Sequence, residues 1–153
     1  MLQSIYDQQD FFENYIKLDR RVKGLEGVPE WLQLKTMLPD LDGLTVLDLG
    51  CGFGRFSRFA RENGSYGDQI RYERAGLEEL RLGDDEYDLV FSSLAFHYAA
   101  NIAGLIKEIG IVLKPSGRTV CSIEHSIYTA PSRPKFIVDE EAGGKSWLLD
   151  GYE

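Results

Sequence analysis

The sequence predicts an α/β fold, a doubly wound and mainly parallel sheet with helices on both faces. Three observations carry that expectation. Strand-like and helix-like segments alternate over residues 45–125, which favours parallel strands joined by right-handed crossovers. The segment YDLVFSSLAFHY holds the unbroken apolar run Leu89, Val90 and Phe91, the pattern of a central strand covered on both faces. The stretch VLDLGCGFG runs strand-like residues into Gly50, Gly52 and Gly54, a strand-to-helix turn whose missing Cβ atoms let a ligand approach the backbone.

The elements follow in order. QDFFENYIKLDRRV spaces Phe11, Phe12, Tyr15, Ile16 and Leu18 as an amphipathic helix. Gly24 and Gly27 then open the chain, and PEWLQLKTMLPDL reads as a second helix with Pro29 near its first turn. LTVLDLG is a buried strand. RFSRFARENG is a helix that turns Phe56, Phe59 and Ala60 inward and closes on Asn63 and Gly64. QIRYERAG alternates as a short strand. NIAGLIKEIGIVLKPSGR is a helix with Ile102, Leu105, Ile106, Ile109 and Leu113 on one side, stopped by Pro115 and Gly117. TVCSIEH is the next strand, and the remainder reads as mostly irregular.

Length and composition bound the function. A chain of 153 residues suits one domain, and its 43% hydrophobic and 27% charged content is that of a globular protein. A net charge of -8 argues against a nucleic-acid partner, since that affinity comes from clustered Lys and Arg. Arg55, Arg58 and Arg61 read as a solvated helix face. Cys51 and Cys121 lack CxxC or metal-ligand spacing, so free thiols and no metal are expected. With neither a signal-like N-terminus nor an apolar run of membrane-spanning length, the expectation is a cytoplasmic protein without a membrane partner. The oligomeric state stays open.

The spacing of the glycines separates ligands. A dinucleotide fingerprint G-x-G-x-x-G would place its third glycine at position 55, which is Arg55, and a guanidinium side chain there crowds a pyrophosphate. A nicotinamide cofactor is therefore disfavoured but stays open as an alternative. Asp48, at the strand end, favours a ligand with an amino or sulfonium charge over one with phosphates.

With these residues in view, VLDLGCGFG resembles the first motif of class I S-adenosylmethionine-dependent methyltransferases. YDLVFSSLAFHY and VLKPSGR resemble their fourth-strand and post-helix motifs, in the same order. The combination of GCGFG, SSLAFHY and EHSIYTAPSRP is similar to a bacterial group within the type-11 methyltransferases, over most of residues 6–152. The resemblance implies a Rossmann-like fold, S-adenosylmethionine as cofactor, and in-line transfer of its methyl group to a small-molecule acceptor. It implies that Gly50, Cys51, Gly52 and Phe53 contact the methionyl part, with Asp48 at its amino group. Leu77, in the turn of residues 76–78, would lie against adenine. Ser92 and Ser93 would face the methionyl and methyl ends. His97 and His125, at the ends of the fourth and fifth family strands, are the candidate general bases. Residues 1–40 would form a helical lid over a cofactor-binding domain of residues 41–153, with Tyr15 and Arg20 as lid contacts.

The chain departs from the family in two places. Only SYGDQ separates Gly64 from Ile70, too little for a parallel crossover of about a dozen residues, so the family's second strand and its ribose-binding acid have no counterpart. The last strands of the sheet also lack a counterpart after the fifth. An incomplete sheet is expected, from segments omitted from the sequence as written or from a true deletion; the first is favoured. A noncatalytic cofactor-binding module is the remaining alternative.

Overall fold

The computed structural model describes residues 23–77, 79–129, 131–133, 135–139 and 143–150. The first expected helix, with Tyr15 and Arg20, lies outside them, as does Glu78. The chain falls into two compact units divided after Ser122.

In the first unit a 3-10 turn at Gly24–Gly27 precedes α1 (Trp31–Met37), β1 (Val46–Asp48), α2 (Arg55–Glu62), β2 (Tyr87–Ser93), α3 (Ile102–Val112) and β3 (Leu113–Ser122), with a second 3-10 turn at Phe96–Tyr98. The three strands form one sheet in the order β1-β2-β3. Both pairings are parallel, with Val46, Leu47 and Asp48 opposite Leu89, Val90 and Phe91, and Phe91 in turn opposite Val120. This is the expected parallel α/β arrangement with a reduced sheet.

β2 is central, and its alternation explains why its apolar run is unbroken. Leu89 and Phe91 point to one face, where Trp31 and Leu34 of α1 and Phe56 and Ala60 of α2 cover them. Val90 points to the other, against Leu105, Ile109 and Val112 of α3. The first core is dense in aromatic rings: Phe56 stacks on Phe91 at 3.5 Å between centroids, and Trp31 meets Phe59 edge-on at 4.9 Å. Such aromatic pairs contribute roughly 0.5–1.5 kcal/mol beyond their buried area. At the opposite end of the strands Asp88 accepts from the Thr45 N–H at 2.8 Å and from Lys114 Nζ at 2.7 Å, so one carboxylate joins the starts of all three strands.

Helix boundaries follow local chemistry. α3 starts at Asn101, whose side chain accepts from the Gly104 N–H at 2.9 Å. α2 ends with Asn63 as its cap and Gly64 at φ +87°, the closure its sequence predicts.

Three expectations need correction. Residues 69–76 form no strand: apart from Ile70 they are exposed, so no apolar stripe is available to bury. Ile102 and Ile106 do not join the inward face of α3; they are 46% and 50% exposed, while Val112 takes the buried position. Pro115 and Gly117 do not sit past the helix in a loop, since β3 begins at Leu113, directly after Val112.

The second unit is more ordered than its composition suggests. α4 (Ser126–Thr129) precedes an antiparallel hairpin of β4 (Phe136–Val138) and β5 (Lys145–Trp147). Trp147 anchors it, with its Nε1–H donating to the Ile127 carbonyl at 2.8 Å and its ring edge-on to Tyr128 and Phe136.

Phe91→Ala removes the ring between the sheet and α2 and should destabilise the chain by about 3–5 kcal/mol, read from the urea midpoint, whereas Ile106→Ala on the exposed side of α3 should change stability by less than about 0.5 kcal/mol.

Candidate functional site

β1 and β2 run parallel, so their carboxyl ends lie together, and the glycine turn leaves β1 at that edge. The turn is built on left-handed backbone. Gly50, Gly52 and Gly54 have φ of +74°, +53° and +64°, a region costly for any residue with a Cβ. The Gly54 N–H donates to the Cys51 carbonyl at 2.8 Å and closes the turn onto α2. Close approach adds a second demand at two positions. A Cβ on Gly50 would lie 2.4 Å from the Ala95 Cβ, and one on Gly54 would lie 2.2 Å from the Tyr72 hydroxyl. The segment after β2 thus backs the start of the turn, while Tyr72, from the irregular residues 70–76, crosses its end.

Ser92 holds the turn from beneath. It is fully buried, and its hydroxyl donates to the Leu49 carbonyl at 2.9 Å while the Leu49 N–H donates to Phe91 O at 2.8 Å. The last residue before Gly50 is therefore fixed on both backbone groups by β2. Burial at this point directs Ser92 toward positioning the turn and leaves the exposed edge to Ser93.

Asp48 also works on the turn. Gly54 caps α2 without a side chain, and Asp48 supplies the missing acceptor: its Oδ2 accepts the Ser57 hydroxyl at 2.7 Å, and the Ser57 N–H also reaches it. Burial pushes its carboxyl up from 3.8 to about 6, against the opposing pull of the Ser57 hydrogen bonds. Beside it the half-buried Cys51 thiol is pushed up by its own burial and then by the Asp48 charge, so the turn carries a protonated thiol. Phe53 is 45% exposed, and its carbonyl accepts from Arg58 Nη1 at 2.8 Å.

At the end of β2 the polar groups form a directed chain. The Leu94 N–H donates to Ser122 Oγ at 3.2 Å, Ser122 Oγ–H lies 3.4 Å from Ser93 Oγ, and Ser93 Oγ–H donates to Glu30 Oε1 at 3.2 Å. Leu94 sits at φ +52°, and its N–H also donates to the Ser122 carbonyl at 2.9 Å. A branched side chain in left-handed backbone costs on the order of 1–3 kcal/mol, and such strain concentrates at functional edges of folds.

The remaining candidates are placed as follows. The half-buried His97 lies in the 3-10 turn after β2, with its ring 4.2 Å from that of Tyr98. His125 is exposed in the second unit, where its Nδ1 accepts from the Ile127 N–H at 3.1 Å at the start of α4. The Leu77 side chain packs with Leu80 and Leu82 against the core cluster containing Leu49, Val90 and Phe96. The structure brings Asp48, Gly50, Cys51, Gly52, Phe53, Ser92 and Ser93 to one edge of the sheet. Sequence reading missed Glu30, Ser57 and Ser122. A glycine at the cap of α2 signals the need for a remote acceptor, and hence Ser57's link to Asp48; Glu30 carries no such signal.

A parallel sheet whose carboxyl end carries a glycine turn running into a helix defines a cofactor-binding α/β domain. Known proteins place it further. A profile of the methyltransferase domain matches residues 47–121. The structure of an S-adenosylmethionine-dependent methyltransferase from Mesorhizobium loti superposes with a TM-score of 0.75 at 41% identity, covering 84% of this chain and 67% of that one. An uncharacterised Haemophilus influenzae protein is 29% identical over 82% of this chain and 60% of its own length. A malonyl-[acyl-carrier protein] O-methyltransferase from Pectobacterium atrosepticum is 29% identical over 56% of this chain and 40% of its own. The chain thus spans 60% and 40% of the lengths of these two curated relatives. It belongs to the S-adenosylmethionine-dependent methyltransferases, and the cofactor of that family is S-adenosylmethionine.

Two outcomes follow from this geometry. Ser92→Ala leaves the buried Leu49 carbonyl without its donor and should cost about 1–3 kcal/mol in chemical denaturation. Asp48, with its folded pKa raised from 3.8 to about 6, adds stability below pH 4 that is lost as pH rises through 6. Stability measured as a series in pH should therefore move in favour of Asp48→Asn over wild type between pH 4 and 6, and a constant difference would refute this.

Proposed function

We propose that this chain forms the cofactor-binding core of an enzyme that moves a methyl group from S-adenosylmethionine to a small-molecule acceptor by in-line displacement. The observation that carries the reading is the glycine turn, left-handed at Gly50, Gly52 and Gly54 and backed by β2. At Gly52 the exposed, Cβ-free backbone suits a ligand that lies against peptide groups, and a nearby carboxylate edge suits one with cationic groups. When bound, the cofactor supplies a methyl group activated by a sulfonium.

In this proposal Gly50, Cys51, Gly52 and Phe53 line the methionyl part, and the Leu77 backbone faces adenine. Asp48 shapes the turn through Ser57, as Ser92 does through Leu49. Ser93 lies at the methionyl and methyl ends. His97 is the general base proposed for the acceptor, with His125 the second candidate. Tyr15 and Arg20 contribute from a lid formed by residues 1–40. Holding the nucleophile in line is the main service such a site supplies, and no metal or covalent intermediate is needed. Among the described residues no helix is long and apolar enough to cross a membrane, and the proposed setting is the cytoplasm, with the acceptor diffusing to the site.

Titration of S-adenosylhomocysteine into the full chain by calorimetry should give a saturable one-site isotherm, and NADH should give none. Absence of S-adenosylhomocysteine binding would sink the methyltransferase reading, and NADH binding in its place would restore the oxidoreductase one.

A further inference from the structure

Two carboxylates lie near the carboxyl edge of the sheet, and they are differently committed. Asp48 is turned toward α2, where Ser57 occupies it and burial raises its pKa. Glu30, which directly precedes α1, accepts from Ser93 at the end of β2. Its position relative to the glycine turn follows from the contacts around it. Trp31, the next residue, packs on Phe56 at 6.4 Å, two residues past Gly54. Asp48 is in register with Phe91 and Leu49 is bonded to Ser92, which brings Ser93 alongside Gly50. Ala95, two residues after Ser93, is the residue that a Cβ on Gly50 would strike. Glu30 is thus held at the lip between the glycine turn and the end of β2.

The hydroxyl chain fixes the sense of that lip. Each donor in the series from the Leu94 N–H through Ser122 and Ser93 points toward the Glu30 carboxylate. The chain of donors thus ends on the Glu30 carboxylate, an acceptor whose chemistry suits a cationic hydrogen-bond donor and not a phosphate or carboxylate.

The geometry points to Glu30, oriented by Ser93, as the carboxylate that binds the ammonium group of the cofactor's methionyl end. This rests on the methyltransferase reading above. Glu30 is a ligand-binding residue here and Ser93 a positioning residue. The division of labour leaves Asp48 to build the turn and Glu30 to meet the ligand. Glu30 lies outside residues 47–121, the part of the chain that carries the family match.

The experiment compares two ligands on the full chain by calorimetry: S-adenosylhomocysteine and its analogue lacking only the α-amino group. Glu30→Gln should weaken S-adenosylhomocysteine by at least about tenfold, the loss of a charge-assisted hydrogen bond, and change the deamino analogue by less than about twofold. Ser93→Ala should show the same ligand-selective pattern at a smaller amplitude. Equal loss for both ligands, or loss for neither, overturns the assignment while wild-type binding of S-adenosylhomocysteine upholds the methyltransferase reading. Failure of the wild-type chain to bind S-adenosylhomocysteine overturns both.

Discussion

The site depends on one buried hydrogen bond, from the Ser92 hydroxyl to the Leu49 carbonyl. β1 is short, only Val46–Asp48, and a strand of that length cannot by itself dictate where its following turn will point. β2 does so instead. It is anchored by cores on both faces, and through Phe91 and Ser92 it grips Leu49 at its N–H and its C=O. Whatever binds the glycine turn is therefore registered against β2, the best-buried strand among the described residues. The opposite ends of the strands are joined by Asp88, so the sheet is closed at one end by an ion pair with Lys114 and opened at the other by glycines.

Much of this was legible in the sequence, for reasons that particular residues make plain. Leu89, Val90 and Phe91 announce a strand covered on both faces because successive side chains alternate across a sheet, so a continuous apolar run is buried only where both faces are packed. Gly50, Gly52 and Gly54 announce left-handed backbone because no other residue type adopts it so cheaply. The failures came where tertiary contacts decide. Tyr72 sits in an alternating sequence, but its neighbours are exposed and the chain there crosses Gly54 without regular structure. Ile102 and Ile106 have helical spacing with Leu105 and Ile109, but the stripe that faces β2 is centred on Leu105, Ile109 and Val112, and the 3.6-residue period alone does not choose between adjoining stripes. Glu30 was invisible because its meaning comes from Ser93, far away in the chain.

The placement of Asp48 shows how a motif acid can be read correctly in position and still leave its task open. Sequence puts a carboxylate at the strand end beside the turn. The structure shows that the same carboxylate satisfies the N–H and hydroxyl of Ser57, because a glycine cap offers α2 no acceptor of its own. The left-handed Gly54 thereby leaves the helix start without a side-chain acceptor, and Asp48 compensates for it. Permissive backbone and buried acid are two halves of one local solution.

The chain contains two tryptophans, and they fall in different units. Trp31 is 2% exposed among Phe56 and Phe59, whereas Trp147 is hydrogen-bonded through its indole N–H to the Ile127 carbonyl. The molecule therefore carries its own pair of fluorescent reporters with distinct environments, one dry and apolar, the other polar at its nitrogen. Their emission separates events in the parallel sheet from events in the hairpin, without any label having to be introduced.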